Sequence, residues 1–229
     1  MQNDSKPPQL PIRSESHKSE PTSKTVLKNF IVFEGCDGAG TTTQLKLLKE
    51  KFYQNQKTLP PLVTTFEPTS GGIGTFIRKV LAGDTSFDKQ TLAFLFAADR
   101  SEHLFGKGGI VEMADNGVLV VCDRYVLSSL VYQGLECGEG LPSKLNSDFP
   151  VPQKLIFFDI PCEDAQKRMN NRERKDIFET LDFQIKVRNR YKMLLDVCRK
   201  DGSEVFIIDA SKTIKEVQDE VWTIISNFN

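Results

Sequence analysis

Phe30-Ile31-Val32-Phe33-Glu34-Gly35-Cys36-Asp37-Gly38-Ala39-Gly40-Thr41-Thr42-Thr43 decides how the rest of the chain is read. Its first four residues have the apolar character of a buried strand. The glycines then break the run, and Gln44 to Phe52 continues with helical spacing. Strand, glycine-rich turn and helix is the setting in which backbone amides and a helix N-terminus cradle a phosphate. Gly35 and Gly40 stand at the spacing of G-x-x-x-x-G-K-[ST], and Thr42 falls on the hydroxyl position that ligates magnesium. Thr41 occupies the lysine position. The amide cradle survives that exchange, because N–H groups and the helix dipole do the holding. The long cationic side chain is lost.

Further strand candidates recur downstream, alternating with helical patterns. With Asn29 to Glu34 they are Leu62 to Phe66, Val118 to Cys122, Lys154 to Ile160 and Glu204 to Ile208. Each is short and rich in β-branched or aromatic residues, as strands covered on both faces are. Helices are expected over Thr43 to Gln54, Ile73 to Ala82, Lys89 to His103, Ile110 to Asn116, Leu127 to Glu136, Glu163 to Asn171, Thr180 to Lys200 and Ile214 to Asn227. The alternation predicts an α/β fold, a doubly wound five-stranded parallel sheet. Ligands in such a sheet sit beyond the C-terminal strand ends. Polar residues fall there: Asp37, Glu67, Asp123-Arg124 and Asp209.

The 229 residues suffice for one domain with a sizeable core. A net charge of −1 gives no reason to expect nucleic-acid or membrane binding, and no apolar run reaches the ~18 to 20 residues of a membrane span. Five cysteines without a C-x-x-C pair suit neither a disulfide framework nor zinc, so a cytoplasmic location is expected. Cys36 lies in the phosphate loop, where amides can lower a thiol pKa; a tolerated small residue is the plainer reading. Residues 1–25 are polar, Pro- and Ser-rich and lack aromatic residues, so they are expected to form a disordered extension before a single phosphate-loop domain over 26–229.

Three other segments carry candidate chemistry. Asp123-Arg124-Tyr125 closes a strand beside the loop, where Asp123 can hold magnesium and Arg124 can fork onto a phosphate; a structural Asp–Arg pair is the other reading. Phe96 and Arg100 share a helix face four residues apart. They can stack a base and read its edge, or Phe96 can be core. Arg168, Arg172, Arg174 and Lys175 form a basic run, either a solvated face or a lid over 168–179 that neutralises transferring phosphates.

Taken together and in order, these segments resemble thymidylate kinase, from about Lys28 to the C-terminus. The resemblance rests on Phe33-Glu34-Gly35-Cys36-Asp37-Gly38-Ala39-Gly40, Phe66-Glu67-Pro68, Leu95 to Arg100, Asp123-Arg124-Tyr125 with Ser128 and Tyr132-Gln133-Gly134, and Ile208-Asp209-Ala210-Ser211. It implies a P-loop nucleoside-monophosphate kinase that moves the γ-phosphoryl of ATP, with Mg2+, to dTMP, and a homodimer. It also implies roles. Gly35 to Thr43 would hold ATP phosphates, and Thr42 and Asp123 the metal. Asp37 would contact the sugar 3′-hydroxyl. Phe96 would stack on thymine, and Arg100 would reach its edge. Arg124 would bind the acceptor phosphate, with Arg78 as a second candidate. Tyr132 would sit where a 2′-hydroxyl clashes, with Ser129 and Gln133 beside it. Arg172 and Arg174 would be the catalytic lid arginines, since Gly38 fills the loop position that some members give to arginine. Two departures stand out: Thr41, and the lack of an arginine directly before Glu67-Pro68. A kinase of different base choice and a non-catalytic nucleotide-binding protein remain as rivals.

Overall fold

In the computed structural model, residues 24–55, 59–169 and 180–226 are described. All five expected strands form: β1 (Val26–Gly35), β2 (Leu62–Phe66), β3 (Leu119–Asp123), β4 (Val151–Asp159) and β5 (Glu204–Asp209). They make one sheet in the order β2-β3-β1-β4-β5, with every neighbouring pair parallel. Between them run α1 (Thr41–Gln54), α2 (Gly72–Leu81), α3 (Lys89–Phe105), α4 (Ile110–Asp115), α5 (Val126–Cys137), α6 (Gly140–Leu145), α7 (Cys162–Met169), α8 (Leu181–Lys200) and α9 (Ile214–Ser226). The six-residue α6 was not expected, because Gly-Leu-Pro-Ser-Lys-Leu has neither helical periodicity nor helix-forming composition.

The apolar runs of the three central strands, β3, β1 and β4, are buried on both faces, as strands inside a parallel sheet are, while the edge strands β2 and β5 are only partly covered. Ile31, Phe33, Ile156 and Phe158 pack against Leu48 of α1 and Val221 of α9. Out of phase by one residue, Phe30, Val32, Val120 and Cys122 pack against Leu104 of α3 and Ile110 of α4. Leu155 and Phe157 meet Val131 of α5 with Val187 and Tyr191 of α8. Each fully buried phenylalanine is worth about 1.5–3 kcal/mol of transfer free energy.

The topology places the site. From β1 the chain crosses to β2, the edge strand beyond β3, while β4 lies on the other side of β1. The order therefore reverses at β1, and a crevice opens at the carboxyl ends of β1 and β3. There Phe33 pairs with Asp123, putting the phosphate loop beside Asp123-Arg124. Of the expected N-terminal extension only Lys24 and Thr25 are described: Lys24 pairs with Asp201 at 3.3 Å, and the Thr25 carbonyl accepts from the Val151 amide at 2.9 Å. Arg168 and Met169 end α7, while Arg172, Arg174 and Lys175 of the expected lid lie outside the described residues.

Candidate active site

The loop between β1 and α1 is shaped by two glycines in the left-handed region, Gly38 (φ 85°) and Gly40 (φ 92°). A side chain at Gly38 would be strained there, and its Cβ would also lie 2.6 Å from the Ala165 carbonyl oxygen of α7. Gly35 packs where a Cβ would meet Ala39 at 2.9 Å, and Ala39 is buried with its amide on the Cys36 carbonyl at 3.1 Å. Gly40 caps α1 without a side-chain bond, and the first internal bond runs from the Gln44 amide to its carbonyl at 3.0 Å. The amides of Thr41, Thr42 and Thr43 thus start the helix as orphan donors facing a cleft. That is the geometry of an anion site.

Beside them the Thr42 hydroxyl donates to Asp123 Oδ2 at 2.8 Å, while the buried Oδ1 has no hydrogen-bond partner among the described residues. A hydroxyl next to a half-satisfied buried carboxylate is a hard-oxygen donor set that suits magnesium, which keeps most of its own waters. Arg124 follows in the left-handed region (φ 71°), uncommon for a residue with a side chain. Its amide is tied to the Phe33 carbonyl at 2.9 Å, and that turn aims the guanidinium across the crevice.

Arg124 Nη2 meets Asp37 Oδ1 at 2.5 Å, and its Nη1 reaches Ser128 Oγ and Tyr191 OH, each at 3.3 Å. Asp37 Oδ2 accepts from Gln184 Nε2 at 2.9 Å and Tyr132 OH at 3.2 Å. Behind this network Glu34 is fully buried and takes four donors: the Tyr125 and Ser128 amides (3.0 and 3.1 Å), Ser128 Oγ (2.6 Å) and Tyr191 OH (2.9 Å). Burial pushes its carboxyl up to about 7, against the Ser128 hydrogen bond, the Arg124 charge and Tyr191.

The opposite wall comes from α3 and α5. Phe96 is half-buried, lining the cleft while packing on the core below. Arg100 is 1 % exposed. Glu67 Oε2 receives its Nε at 2.9 Å and its Nη2 at 2.7 Å, Ser129 Oγ receives Nη2 at 3.1 Å, and Asn146 Oδ1 receives Nη1. Arg100 therefore reaches the cleft as a fixed floor. The other Glu67 oxygen meets His103 Nδ1 at 3.1 Å, and His103 Nε2 meets Thr65 Oγ1 at 2.7 Å. Arg78 bonds the Pro68 carbonyl and stands over the Phe66 ring, 5.0 Å from its centroid. Gln133 is buried along the same wall, with Oε1 unpartnered among the described residues.

These groups line one cleft of about 450 Å3, within the size range of small-molecule sites. It brings together Cys36, Asp37, Gly38, Gly40, Thr41, Thr42, Thr43, Asp123 and Arg124 with Arg78, Phe96, Arg100, Ser129, Tyr132 and Gln133. Gly35 and Ala39 support it from behind. Asp209 stands apart and accepts from the Ser211 amide at 3.0 Å.

A family model described as thymidylate kinase matches residues 33–221. The chain belongs to the thymidylate kinase family. It is 42 % identical over 199 residues to a Treponema pallidum protein provisionally named thymidylate kinase, covering 86 % of this chain and 94 % of that one. It is 41 % identical over 205 residues to a Methanococcus maripaludis protein, also provisionally named so, covering 85 % and 94 %. With the thymidylate kinase of Caldicellulosiruptor saccharolyticus it shares 38 % over 210 residues, covering 86 % and 96 %. As a thymidylate kinase family member it is a phosphotransferase, and its five-stranded parallel sheet is a P-loop kinase architecture. No helix among the described residues is long and apolar enough to cross a membrane.

Sequence reasoning missed four contributors. Asp99 accepts from the Thr69 amide and hydroxyl, both at 2.7 Å, and so fixes the turn after β2. Asn146 holds Arg100 from the end of α6. Gln184 and Tyr191, two turns apart on α8, reach Asp37 and Glu34. The seven-residue spacing of two polar side chains on the buried face of α8 was the available signal.

Proposed function

We propose that this chain transfers the γ-phosphoryl group of ATP to dTMP, releasing ADP and dTDP. One observation carries the reading: a single cleft has helix-start amides and the Thr42–Asp123 pair on one wall, and Phe96, Tyr132 and the fixed Arg100 on the other. The first wall suits a polyphosphate, the second a planar base on a sugar. Thr42 and Asp123 would hold magnesium, which when bound would neutralise charge on the donor phosphates.

The chain's own groups do the rest. The Thr41 to Thr43 amides hold donor phosphate oxygens. Arg124, with donors left over after Asp37, Ser128 and Tyr191, grips the acceptor phosphate. Asp37 stands under the sugar, and Tyr132, anchored on Asp37, closes the space beside the 2′-carbon. Phe96 offers its ring to the base. The acceptor is already an anionic phosphate, so positioning and charge carry the reaction without a general base. Arg172 and Arg174 are the further cations of this reading.

The same reading takes the protein as a cytoplasmic homodimer. Exposed Phe94 and Phe105 on α3 offer apolar surface for a second copy, and sedimentation equilibrium tests it by mass. An acceptor panel tests the function: dTMP should give the highest kcat/KM among dTMP, dUMP, dCMP, dGMP and UMP. A higher value for a cytidine or purine acceptor would refute it.

A further inference from the structure

Cys36 and Cys162 come from elements far apart in sequence. Cys36 is the first loop residue after β1, and Cys162 opens α7 after β4. The pairing of β1 with β4 brings them together, since Gly35 sits opposite Phe158 at the shared strand ends. The loop then lies against α7 without slack, as the Gly38–Ala165 approach shows. Both side chains are buried, at 3 % and 4 % exposure, and the segments that carry them touch on either side: a Cβ on Gly35 would meet the Phe158 carbonyl oxygen at 3.1 Å and one on Gly38 the Ala165 carbonyl oxygen at 2.6 Å. Cys36 also lines the nucleotide cleft, so one member of the pair stands at the cleft wall.

The two sulfurs are inequivalent. The neighbouring Cys36 thiol holds Cys162 down at about 7, with Arg188 helping against burial, Glu163 and Asp159. Cys36 is raised, first by Cys162 and then by burial and Asp37, with Arg124 opposing. Cys162 is therefore the thiol of the pair that ionises first, and Cys36 the one that keeps its proton. A thiol of lowered pKa near a guanidinium, with a second buried thiol on the facing segment, is the arrangement of a peroxide-sensitive pair.

We propose that Cys36 and Cys162 form a reversible disulfide under peroxide, and that this bridge shuts off nucleotide binding. The Cys162 thiolate attacks hydrogen peroxide: an S–O bond forms, the O–O bond breaks, and hydroxide leaves to become water. The Cys36 sulfur then attacks Cys162, the S–O bond breaks, and the departing hydroxide takes the Cys36 proton as a second water. Two thiols and one peroxide give one disulfide and two waters. Bridging shortens the sulfur–sulfur contact to about 2.05 Å. Gly38 has no room to move toward α7, so the displacement falls on Asp37 between them. Asp37 holds Arg124, Tyr132 and Gln184, so the shift spreads across the cleft.

The test uses the full chain. Hydrogen peroxide is added, remaining thiols are alkylated, and the non-reduced digest is mapped by mass spectrometry while binding of a fluorescent ATP analogue is followed. The expected result is a Cys36–Cys162 linked peptide, with ATP-analogue affinity and turnover falling together. Turnover should fall about a hundredfold, the scale of a 1 Å misplacement in a reacting site, and dithiothreitol should restore it. Cys162→Ser, or Cys162→Ala if the serine variant folds poorly, should keep its basal activity and resist peroxide. Absence of the linked peptide, or equal peroxide sensitivity in a Cys162 variant, overturns the proposal. The map reads the bridge whichever nucleotide is the acceptor, so its failure is distinct from failure of the dTMP reading.

Discussion

Replacing Glu67 with glutamine removes one charge from a pair that has almost no access to water. The side chains of Arg100 and Glu67 are 1 % and 3 % exposed, and one carboxylate oxygen takes two guanidinium donors at 2.7 and 2.9 Å. In Glu67→Gln the guanidinium keeps only neutral acceptors, Ser129 and Asn146. Breaking a buried pair by removing one partner costs about 3–5 kcal/mol, because the other charge stays buried. An exposed pair would cost less than about 1 kcal/mol. Equilibrium urea unfolding at pH 7.5 distinguishes the two. Pairing Glu67→Leu with Arg100→Met should recover most of what Glu67→Leu loses alone, since an apolar pair of similar volume is near neutral in such sites. The coupling from the double-mutant cycle should then be of opposite sign to the single losses. A Glu67→Gln cost below about 1 kcal/mol would mean water reaches the pair, and the fixed floor beneath the base would be refuted.

Phe96→Ala should weaken dTMP binding by about 1–3 kcal/mol, the value of one stacked base, and leave ATP binding nearly unchanged; calorimetry showing equal loss of both ligands with a large fall in Tm would make Phe96 purely core. The Glu34 carboxyl, pushed up to about 7, keeps a proton in the folded state that the unfolded chain sheds near 4.5. Its contribution to stability is therefore full below that lower value and declines by about 3 kcal/mol as pH rises to 7. Glu34→Gln should flatten this part of the stability–pH curve in urea titrations, and an unchanged slope would contradict the assignment. Thr41→Lys should raise turnover only modestly if other cations already cover the transferring group, whereas a gain of about 10²-fold, the worth of one missing preorganised donor, would show that they do not.

The sheet was legible because its three central strands are buried on both faces and read as apolar runs, and its edge strands keep a β-branched and aromatic composition. The phosphate loop was legible because only glycine tolerates its turns. Strand order was not legible, since no local pattern records that β3 inserts between β1 and β2. Glu34 read as the polar end of a strand, yet it anchors Ser128 and Tyr191, which lie 94 and 157 residues away. Arg100 was placed at the base edge from its helix face. Its engagement with Glu67 and Asn146 depends on contacts 33 and 46 residues distant. The left-handed turn at Arg124 left no mark in composition, because a bulky residue there is held by its surroundings and not by its own preference.

Phosphoryl transfer itself tests the central claim most directly. Purified protein with ATP, magnesium and dTMP should release ADP and form dTDP in equal amounts, with neither product when dTMP or magnesium is left out. Binding of both nucleotides without transfer, at saturating magnesium, would contradict the account and make the Thr41 site a nucleotide-binding site without catalysis.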